Sequence, residues 1–381
     1  MTSAISIGKQ DFASLRENHY FYVDKTDFIR QWWESGDDIT LITRPRRFGK
    51  TLNMSMLNCF FSRQYAEKGT IFEGLSIWKQ EKYRRLQGTY PVIFLSFADV
   101  KQNNYQDAVQ KIKNIIVDAY RQHRYLEQEE CFTQNEKQQM LEITEKMSDV
   151  TAQDALKNLS SYLNLLYGKK VLIFLDEYDT PMQEAYIHGY WGEFAGFMRS
   201  LFNATFKTNP YLERAVMTGI TRISKESVFS DLNNLTVITT TSDAYADCFG
   251  FTEEEVFQSL DQFGMPEKKD LVKQWYDGFC FGTHRDVYNP WSITNYLKEK
   301  KLRPYWAATS SNGLISKLLQ SASVNMKEEP ELISQETLLW YEKEGKERLA
   351  AIRKKAGYEK KTELAVNKDG ICTVPGKNGY H

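Results

Sequence analysis

A short apolar strand that runs into a lysine and a threonine at the start of a helix constrains the fold of this chain most. The stretch from Ile39 to Phe61 reads ITLITRPRRFGKTLNMSMLNCFF. Its first residues are β-branched or apolar, as in a buried strand, and Pro45 ends that strand because proline cannot donate to a central ladder. After Gly49, apolar residues recur at helical spacing. The sequence therefore predicts a strand, a tight loop and a helix in succession.

The triplet Gly49-Lys50-Thr51 at this junction carries the chemistry of a phosphate-binding loop. In such a loop, N–H groups at a helix N-terminus face the anion, a lysine reaches the terminal phosphates and a hydroxyl binds magnesium. The usual pattern, G-x-x-x-x-G-K-[ST], has a glycine where this chain has Arg44. A Gly-Lys-Thr triplet alone can also arise by chance, but the flanking strand and helix favour the phosphate loop.

A second apolar strand ends in two carboxylates. The stretch from Lys170 to Pro181 reads KVLIFLDEYDTP, so Asp176 and Glu177 follow five apolar residues. Open α/β sheets bind their ligands at the carboxyl ends of the strands. An aspartate there can hold Mg2+, and a neighbouring glutamate can orient and deprotonate an attacking water. The alternative is that the paired acids merely form a turn.

A third strand, from Glu213 to Ile220, brings Thr218 and Arg222 to the same edge of the predicted sheet. Thr218 could contact the γ-phosphate or the attacking water, and Arg222 could act as a charge-stabilising finger, in cis or across a subunit interface. Arg222 could equally form a surface salt bridge. We expect the loop strand and the acid strand to lie side by side in one sheet.

Composition limits the classes of function. The 381 residues include 49 basic and 50 acidic side chains, for a net charge of −1, which gives no overall electrostatic case for binding nucleic acid or a membrane. No apolar run approaches the roughly 20 residues of a membrane helix, and the N-terminus does not resemble a signal peptide. The five cysteines are scattered and form no C-x-x-C pair, as expected of reduced thiols in a cytoplasmic protein.

Two segments flank the predicted core. Before it, Tyr20 to Val23 suits a short strand, and the apolar residues from Phe28 to Trp33 suit one face of a helix. This helix could pack on the sheet edge, or its segment could lie beside the nucleotide base. After the core, residues 251–282 read as helical and a further helix follows Pro290, which predicts a helical lid over the nucleotide.

Six motifs occur in order along the chain, namely Asp24 to Thr26, Arg44 to Thr51, Asp176 to Asp179, Thr218 to Arg222, Gly250 to Glu255, and Trp275 to Gly278 leading to Asn289 to Trp291. Together they resemble the bacterial AAA-ATPase-like family. Members of that family often carry a C-terminal nuclease domain of the PD-(D/E)XK kind. The resemblance covers about residues 5–320.

The resemblance implies an α/β fold of the P-loop NTPase class with an extra catalytic glutamate (ASCE/AAA-like). Its parallel sheet is flanked by helices and followed by a helical lid subdomain. In this family arginine replaces the first loop glycine. The implied site has Lys50 and Thr51 on phosphate and Mg2+, Asp176 on the metal and Glu177 on the water, with Thr218 and Arg222 as further catalytic candidates. The nucleotide-binding loop then comprises Arg44, Arg46, Arg47, Phe48, Gly49, Lys50 and Thr51.

These inferences predict four regions: an N-terminal segment packed on the core (1–38), the ATPase core (39–245), the lid (246–320) and a charged tail (321–381). In the tail, Glu359-Lys360-Lys361 has nuclease-like spacing but no strand precedes it, so we expect the nuclease domain to be absent. The predicted function is Mg2+-dependent ATP hydrolysis that drives a conformational switch. The alternative is a non-hydrolysing ATP-binding module with a nucleic acid or protein partner.

Overall fold

The computed structural model describes residues 3–223, 228–229 and 231–306, together with the backbone of two short strands near the C-terminus. The chain divides into two compact units, Met1–Ser310 and Ser311–His381. In the second unit, the strands Ala365–Val366 and Cys372–Thr373 pair antiparallel. The Glu-x-Lys spacing considered above lies outside the described residues.

Five parallel strands form the central sheet of the first unit. They are β1 (Ile39–Thr43), β2 (Val92–Ser96), β3 (Val171–Asp176), β4 (Leu212–Gly219) and β5 (Leu235–Ile238). Their order across the sheet is β2-β3-β4-β1-β5. A parallel sheet flanked by helices confirms the predicted α/β fold of the P-loop NTPase class.

One prediction about this sheet was wrong: the loop strand β1 and the acid strand β3 are not neighbours. Strand β4 lies between them and pairs with both, with Leu41 opposite Met217 on one side and Ile173 opposite Ala215 on the other. The second half of β4 is buried and apolar, so a central place that covers both of its edges suits it. This order also puts Thr218 between the phosphate loop and the two acids.

Nine helices precede the last strand of the sheet within the described residues. They are α1 (Phe12–Glu17), α2 (Asp27–Ser35), α3 (Lys50–Phe61), α4 (Glu81–Arg84), α5 (Tyr105–Gln122), α6 (Gln134–Leu141), α7 (Asp149–Tyr167), α8 (Thr180–His188) and α9 (Trp191–Phe202). A single π-helical turn, Asn203–Lys207, continues α9. No helix in the described part of the chain is both long and apolar enough to cross a membrane.

The sheet separates two hydrophobic cores. Ile39 and Leu41 belong to the core that α5, α7 and α9 cover, whereas Ile42 belongs to the core that α2 and α3 cover. This difference follows from the alternation of side chains along a strand. Buried apolar side chains on both faces explain why β1 reads as a nearly continuous apolar run.

The N-terminal segment reaches the second core through α2. Its Trp32 ring lies 5.6 Å from the Phe61 ring and 5.7 Å from the Phe174 ring, and its indole N–H donates to the Thr40 hydroxyl over 3.2 Å. The aromatic face of α2 therefore packs on the sheet, as the first of the two alternatives predicted. The strand predicted for Tyr20 to Val23 was wrong, because that stretch has an irregular backbone.

A small mixed subdomain, residues 251–306, follows the sheet and is the C-terminal subdomain of the first unit. It contains β6 (Phe251–Thr252), α10 (Glu253–Gln262), α11 (Lys269–Tyr276), β7 (Phe279–Phe281), β8 (His284–Tyr288) and α12 (Pro290–Glu299). Its three strands form an antiparallel sheet in the order β6-β8-β7. The helical prediction was right for α10 and α11 but wrong for β7, which forms a hairpin with β8. Gly282, with φ of 55°, supplies the left-handed residue in the turn of that hairpin.

An ion pair attaches the N-terminal segment to this subdomain. The Lys25 ammonium lies 2.6 Å from a Glu255 carboxylate oxygen and also donates to the Asp247 carbonyl over 2.7 Å. Lys25 is 8% exposed and Glu255 23%, so the pair is largely removed from water. Glu255 also accepts the backbone N–H of Thr252 and so closes the capping box of α10.

Candidate functional site

The loop between β1 and α3 has the backbone of an anion site. Gly49 caps α3 in the left-handed region with φ of 82°, and Arg47 is left-handed as well, with φ of 69°. At Gly49 a side chain would be strained, which explains the glycine. The N–H groups of the first helical turn lack acceptors within the helix, so they are available to an anion.

Lys50 lies folded over this loop. Its side chain is 6% exposed, and its ammonium donates to the carbonyls of Arg44, over 2.9 Å, and Pro45, over 3.0 Å. Burial lowers the pKa of the ammonium, and the carboxylates of Asp179 and Asp176 oppose that shift. A cation held this way above exposed N–H groups suits a polyanionic ligand.

Asp176 forms an oxygen cluster at the end of β3. Its side chain is 1% exposed and accepts a hydrogen bond from the Thr218 hydroxyl, at the end of β4. The Thr51 hydroxyl, in the first turn of α3, lies near enough to affect the pKa of this carboxyl. Burial raises the pKa of this carboxyl, and the two hydroxyl groups oppose the rise. Oxygen ligands of this kind fit Mg2+, which usually takes one or two carboxylates and completes its shell with water and phosphate.

Glu177 follows directly, in a left-handed conformation with φ of 51°. This conformation is unusual for a residue with a Cβ, and it ends the strand at Asp176. The Glu177 carboxylate is half-buried and accepts a hydrogen bond from the Thr180 hydroxyl over 3.1 Å. Glu177 therefore lies beside the oxygen cluster without belonging to it.

The segment after β4 carries Arg222 and is held by two residues that the sequence analysis did not single out, Tyr178 and Asp179. The Tyr178 hydroxyl donates to the Thr221 carbonyl over 2.8 Å, and the Asp179 carboxylate accepts the Thr221 N–H over the same distance. The only signal in the sequence was the third acid, Asp179, of the D-E-Y-D motif from Asp176 to Asp179.

Arg44 is fully buried, and its guanidinium is engaged inside the protein. It donates to the carbonyls of Thr43, Thr239 and Ala244 and lies 4.5 Å from the centre of the Phe281 ring. Burial lowers the pKa of this guanidinium to about 10. These partners connect the loop to the segment after β5 and to β7; the nucleotide contact of Arg44 stays a prediction.

Three further loop residues, Arg46, Arg47 and Phe48, also contact the C-terminal subdomain. The Arg46 carbonyl accepts the indole N–H of Trp306 over 3.1 Å, and the exposed Arg47 guanidinium lies 4.3 Å from the centre of the Trp291 ring. Phe48 is buried, with its ring 4.7 Å from that of Phe279. The phosphate loop is therefore packed against this subdomain along most of its length.

The structure thus brings four of the predicted site residues together, namely Lys50, Thr51, Asp176 and Thr218. Glu177 adjoins them, and Arg222 lies in the segment that follows Thr218. Arg44 and Phe48 instead pack into the contact with the C-terminal subdomain. The roles assigned to all of these residues stay predictions.

Comparison with known proteins agrees with this geometry. A family model described as "Predicted AAA-ATPase" matches residues 6–229, which is more than half of the chain. A protein of Azotobacter chroococcum mcd 1, titled "Uncharacterized protein in vnfD 5'region", is 29% identical over 321 residues. The match covers 83% of this chain and 56% of that protein, so the chain spans about half the length of the relative. From its sheet, its phosphate loop and this family match, the chain belongs to the AAA-ATPase-like family.

Proposed function

We propose that this protein binds ATP together with Mg2+ and hydrolyses it, and that the nucleotide switches the protein between conformations. One observation carries the proposal: the buried Asp176 carboxylate, which accepts the Thr218 hydroxyl, lies close to the Thr51 hydroxyl and the Lys50 ammonium at the start of α3. A purely structural role would not need a buried carboxylate, a buried ammonium and a left-handed glycine at one helix N-terminus.

In this proposal the loop binds the triphosphate. Lys50 exchanges its two loop carbonyls for phosphate oxygens, which are stronger acceptors because they are charged. Thr51 and Asp176 would hold Mg2+, which when bound neutralises charge on the phosphate oxygens. Family membership suggests nucleotide binding in general; the choice of ATP and of Mg2+ is ours.

The hydrolytic step is assigned to three residues beside the loop. Glu177 would orient the attacking water and accept its proton, and Thr218 would hold the Asp176 carboxylate and the water in position. Arg222 would stabilise the charge that develops on the phosphate. A protein that only binds nucleotide needs neither Glu177 nor Arg222 in these places.

Nucleotide affinity and turnover with Mg2+ test the proposal when the wild type is compared with Lys50→Ala and Glu177→Gln. We expect the wild type to hydrolyse ATP, Lys50→Ala to lose binding, and Glu177→Gln to bind ATP while turnover falls by roughly 100-fold or more. The matched control is Glu184→Gln, which changes a partly exposed acid on α8 that lies 3.4 Å from His188 Nε2. Unchanged turnover in Glu177→Gln would contradict the assigned base, and a wild type without nucleotide affinity would contradict the whole proposal.

A second candidate is a non-hydrolysing ATP-binding module that recruits nucleic acid. The exposed Arg47 guanidinium beside Trp291 favours it, because a cation and an aromatic ring together suit single-stranded nucleic acid. Filter binding across salt concentrations separates the two candidates. Affinity that falls steeply with salt and disappears in the double variant Arg46→Ala/Arg47→Ala, with no ATP turnover, would favour the module.

A further inference from the structure

The residue Asp179 makes an unusual set of hydrogen bonds. It is fully buried, and its Oδ2 accepts the N–H groups of Ile220, over 2.9 Å, and Thr221, over 2.8 Å. The same oxygen also accepts the Thr221 hydroxyl over 2.8 Å and the Gln183 amide over 2.7 Å. One carboxylate oxygen on the acid segment thus fixes the backbone that leaves β4.

The residue before it, Tyr178, holds the same segment from a second point. Its hydroxyl donates to the Thr221 carbonyl over 2.8 Å and accepts the Ile223 N–H over 3.1 Å. Its own backbone N–H donates to the Thr218 carbonyl over 2.9 Å. The carbonyl before Arg222 and the N–H after it are therefore both bonded to a single phenol.

These contacts leave Arg222 little backbone freedom. Both peptide groups that flank it are bonded to the hydroxyl of Tyr178, the residue immediately after Glu177, the proposed base. A charged group contributes to transition-state stabilisation only when its position is fixed before the reaction. Tyr178 and Asp179 follow Glu177 directly in the chain. Their hydrogen bonds therefore connect the proposed base closely to the segment that carries Arg222.

Asp179 holds the segment through Oδ2 alone. Among the described residues, Oδ1 is buried and has no hydrogen-bond partner. Burial of an unpaired carboxylate oxygen costs free energy. An asparagine side chain could accept the same N–H groups through its amide oxygen and would have no such carboxylate oxygen.

We infer that Tyr178 and Asp179 are positioning residues. They hold the segment from Ile220 to Ile223 so that the Arg222 side chain contacts the γ-phosphate of bound ATP. This inference rests on the proposed function and deepens it, because it assigns to the D-E-Y-D motif a role beyond metal and base. Tyr178 and Asp179 touch the segment and not the substrate.

The test measures kcat and KM for ATP, and the Kd values of ATP and ADP, in Tyr178→Phe, Asp179→Ala and Asp179→Asn. We expect kcat to fall roughly tenfold or more in Asp179→Ala and several-fold in Tyr178→Phe, with KM changed by less than about threefold. The preference for ATP over ADP should shrink in both. Asp179→Asn should lose less, because its amide oxygen can accept the same N–H groups.

The control variant is Asp243→Asn. Asp243 also accepts a backbone N–H and a threonine hydroxyl, both from Thr283, but it lies outside the proposed site. We expect its kcat, KM and ATP preference to match the wild type. A purely structural role for Asp179 would instead lower only the melting temperature of its variants.

The outcomes separate the inference from the function on which it rests. Wild-type turnover with unchanged kcat and unchanged ATP preference in Tyr178→Phe and Asp179→Ala overturns the inference alone. If Asp179→Ala does not fold, Tyr178→Phe decides, because it removes one hydroxyl and keeps the ring. If the wild type binds ATP without hydrolysis, the ratio of the two Kd values decides. A wild type that binds neither nucleotide overturns both.

Discussion

At the scale of single residues, Gly219 shows how tightly the acid segment and the end of β4 are packed. A Cβ atom at Gly219 would lie 2.6 Å from Asp179 Oδ1 and 2.6 Å from Tyr178 Cε1, closer than side chains approach. We therefore expect Gly219→Ala to lower the free energy of unfolding by about 1–3 kcal/mol, the usual cost of overpacking. Chemical denaturation measures that change, and turnover should fall with it because the segment that carries Arg222 is displaced.

The matched control is Gly196→Ala, in the exposed middle of α9, where an added Cβ meets nothing within 4 Å. There alanine should raise stability by up to about 1 kcal/mol, since glycine is a poor helix former. Equal stability of the two variants would show that the contacts around Gly219 relax freely.

Site residues that belong to a recognisable local pattern could be found from the sequence. Residues whose position in the site depends on distant partners could not. Lys50 and Thr51 follow a strand and a glycine, and Asp176 ends an apolar run, so each could be found from a few neighbours. Asp179 has the same kind of position, but its partners, Ile220 and Thr221, lie on another strand connection. The spacing of residues along the chain gives no indication that these residues are in contact.

At the scale of elements, the end of α5 is fixed by a buried histidine. His123 is the C-cap of α5 and is 5% exposed; its ring lies near the Val92 carbonyl at the start of β2. Its Nδ1 lies 3.2 Å from the hydroxyl of Tyr125, which accepts a hydrogen bond from Tyr167. Burial lowers the pKa of His123 to about 4, and the Val92 carbonyl offsets only part of that effect.

This burial predicts a pH dependence of stability. In the unfolded chain His123 takes up a proton near its usual pKa of 6.5, whereas in the folded chain it does so near 4. Between these values the unfolded state binds more protons, so the free energy of unfolding should fall as pH drops from about 6.5 to about 4. We expect His123 to account for about 2–3 kcal/mol of that loss.

Urea unfolding at several pH values checks this prediction in His123→Gln, which cannot titrate in that range. Its stability should fall less than that of the wild type between pH 6.5 and 4, and the two should run parallel above pH 7. The exposed His188 serves as the control, since His188→Gln should keep the wild-type slope. An unchanged slope in His123→Gln would mean that the ring is hydrated in solution.

Elements with strong periodic patterns were predicted well, and their arrangement was not. The apolar runs at Ile39 and Val171 became β1 and β3, and the apolar face predicted from Phe28 to Trp33 became part of α2. The order of the strands was not predictable, because long helical connections let β4 enter between β1 and β3. The hairpin of β7 and β8 was missed because its strands are too short to show a clear alternation.

At the scale of the whole first unit, the phosphate loop connects the parallel sheet to the C-terminal subdomain. Phe48 packs on β7 through the ring of Phe279, and its carbonyl accepts the N–H of Gly250 over 3.2 Å. Arg44 adds its contacts with Phe281 and with two carbonyls after β5. We therefore expect a displacement of the loop to be transmitted to the subdomain, as the proposed nucleotide-driven switch would require.

The last prediction concerns Arg44, which stands where a glycine is usual and which this structure uses as a connector. Arg44→Ala should lower the free energy of unfolding by about 3 kcal/mol, because one buried and two partly buried carbonyls lose a charged donor and the Phe281 ring loses its cation. Hydrogen exchange should become faster at the amides of β7 and β8. The neighbouring Arg47→Ala removes an exposed guanidinium from Trp291 and should change stability by less than about 1 kcal/mol. Weaker ATP binding in Arg44→Ala with unchanged hydrogen exchange would make Arg44 a nucleotide ligand instead of a connector between the loop and the subdomain.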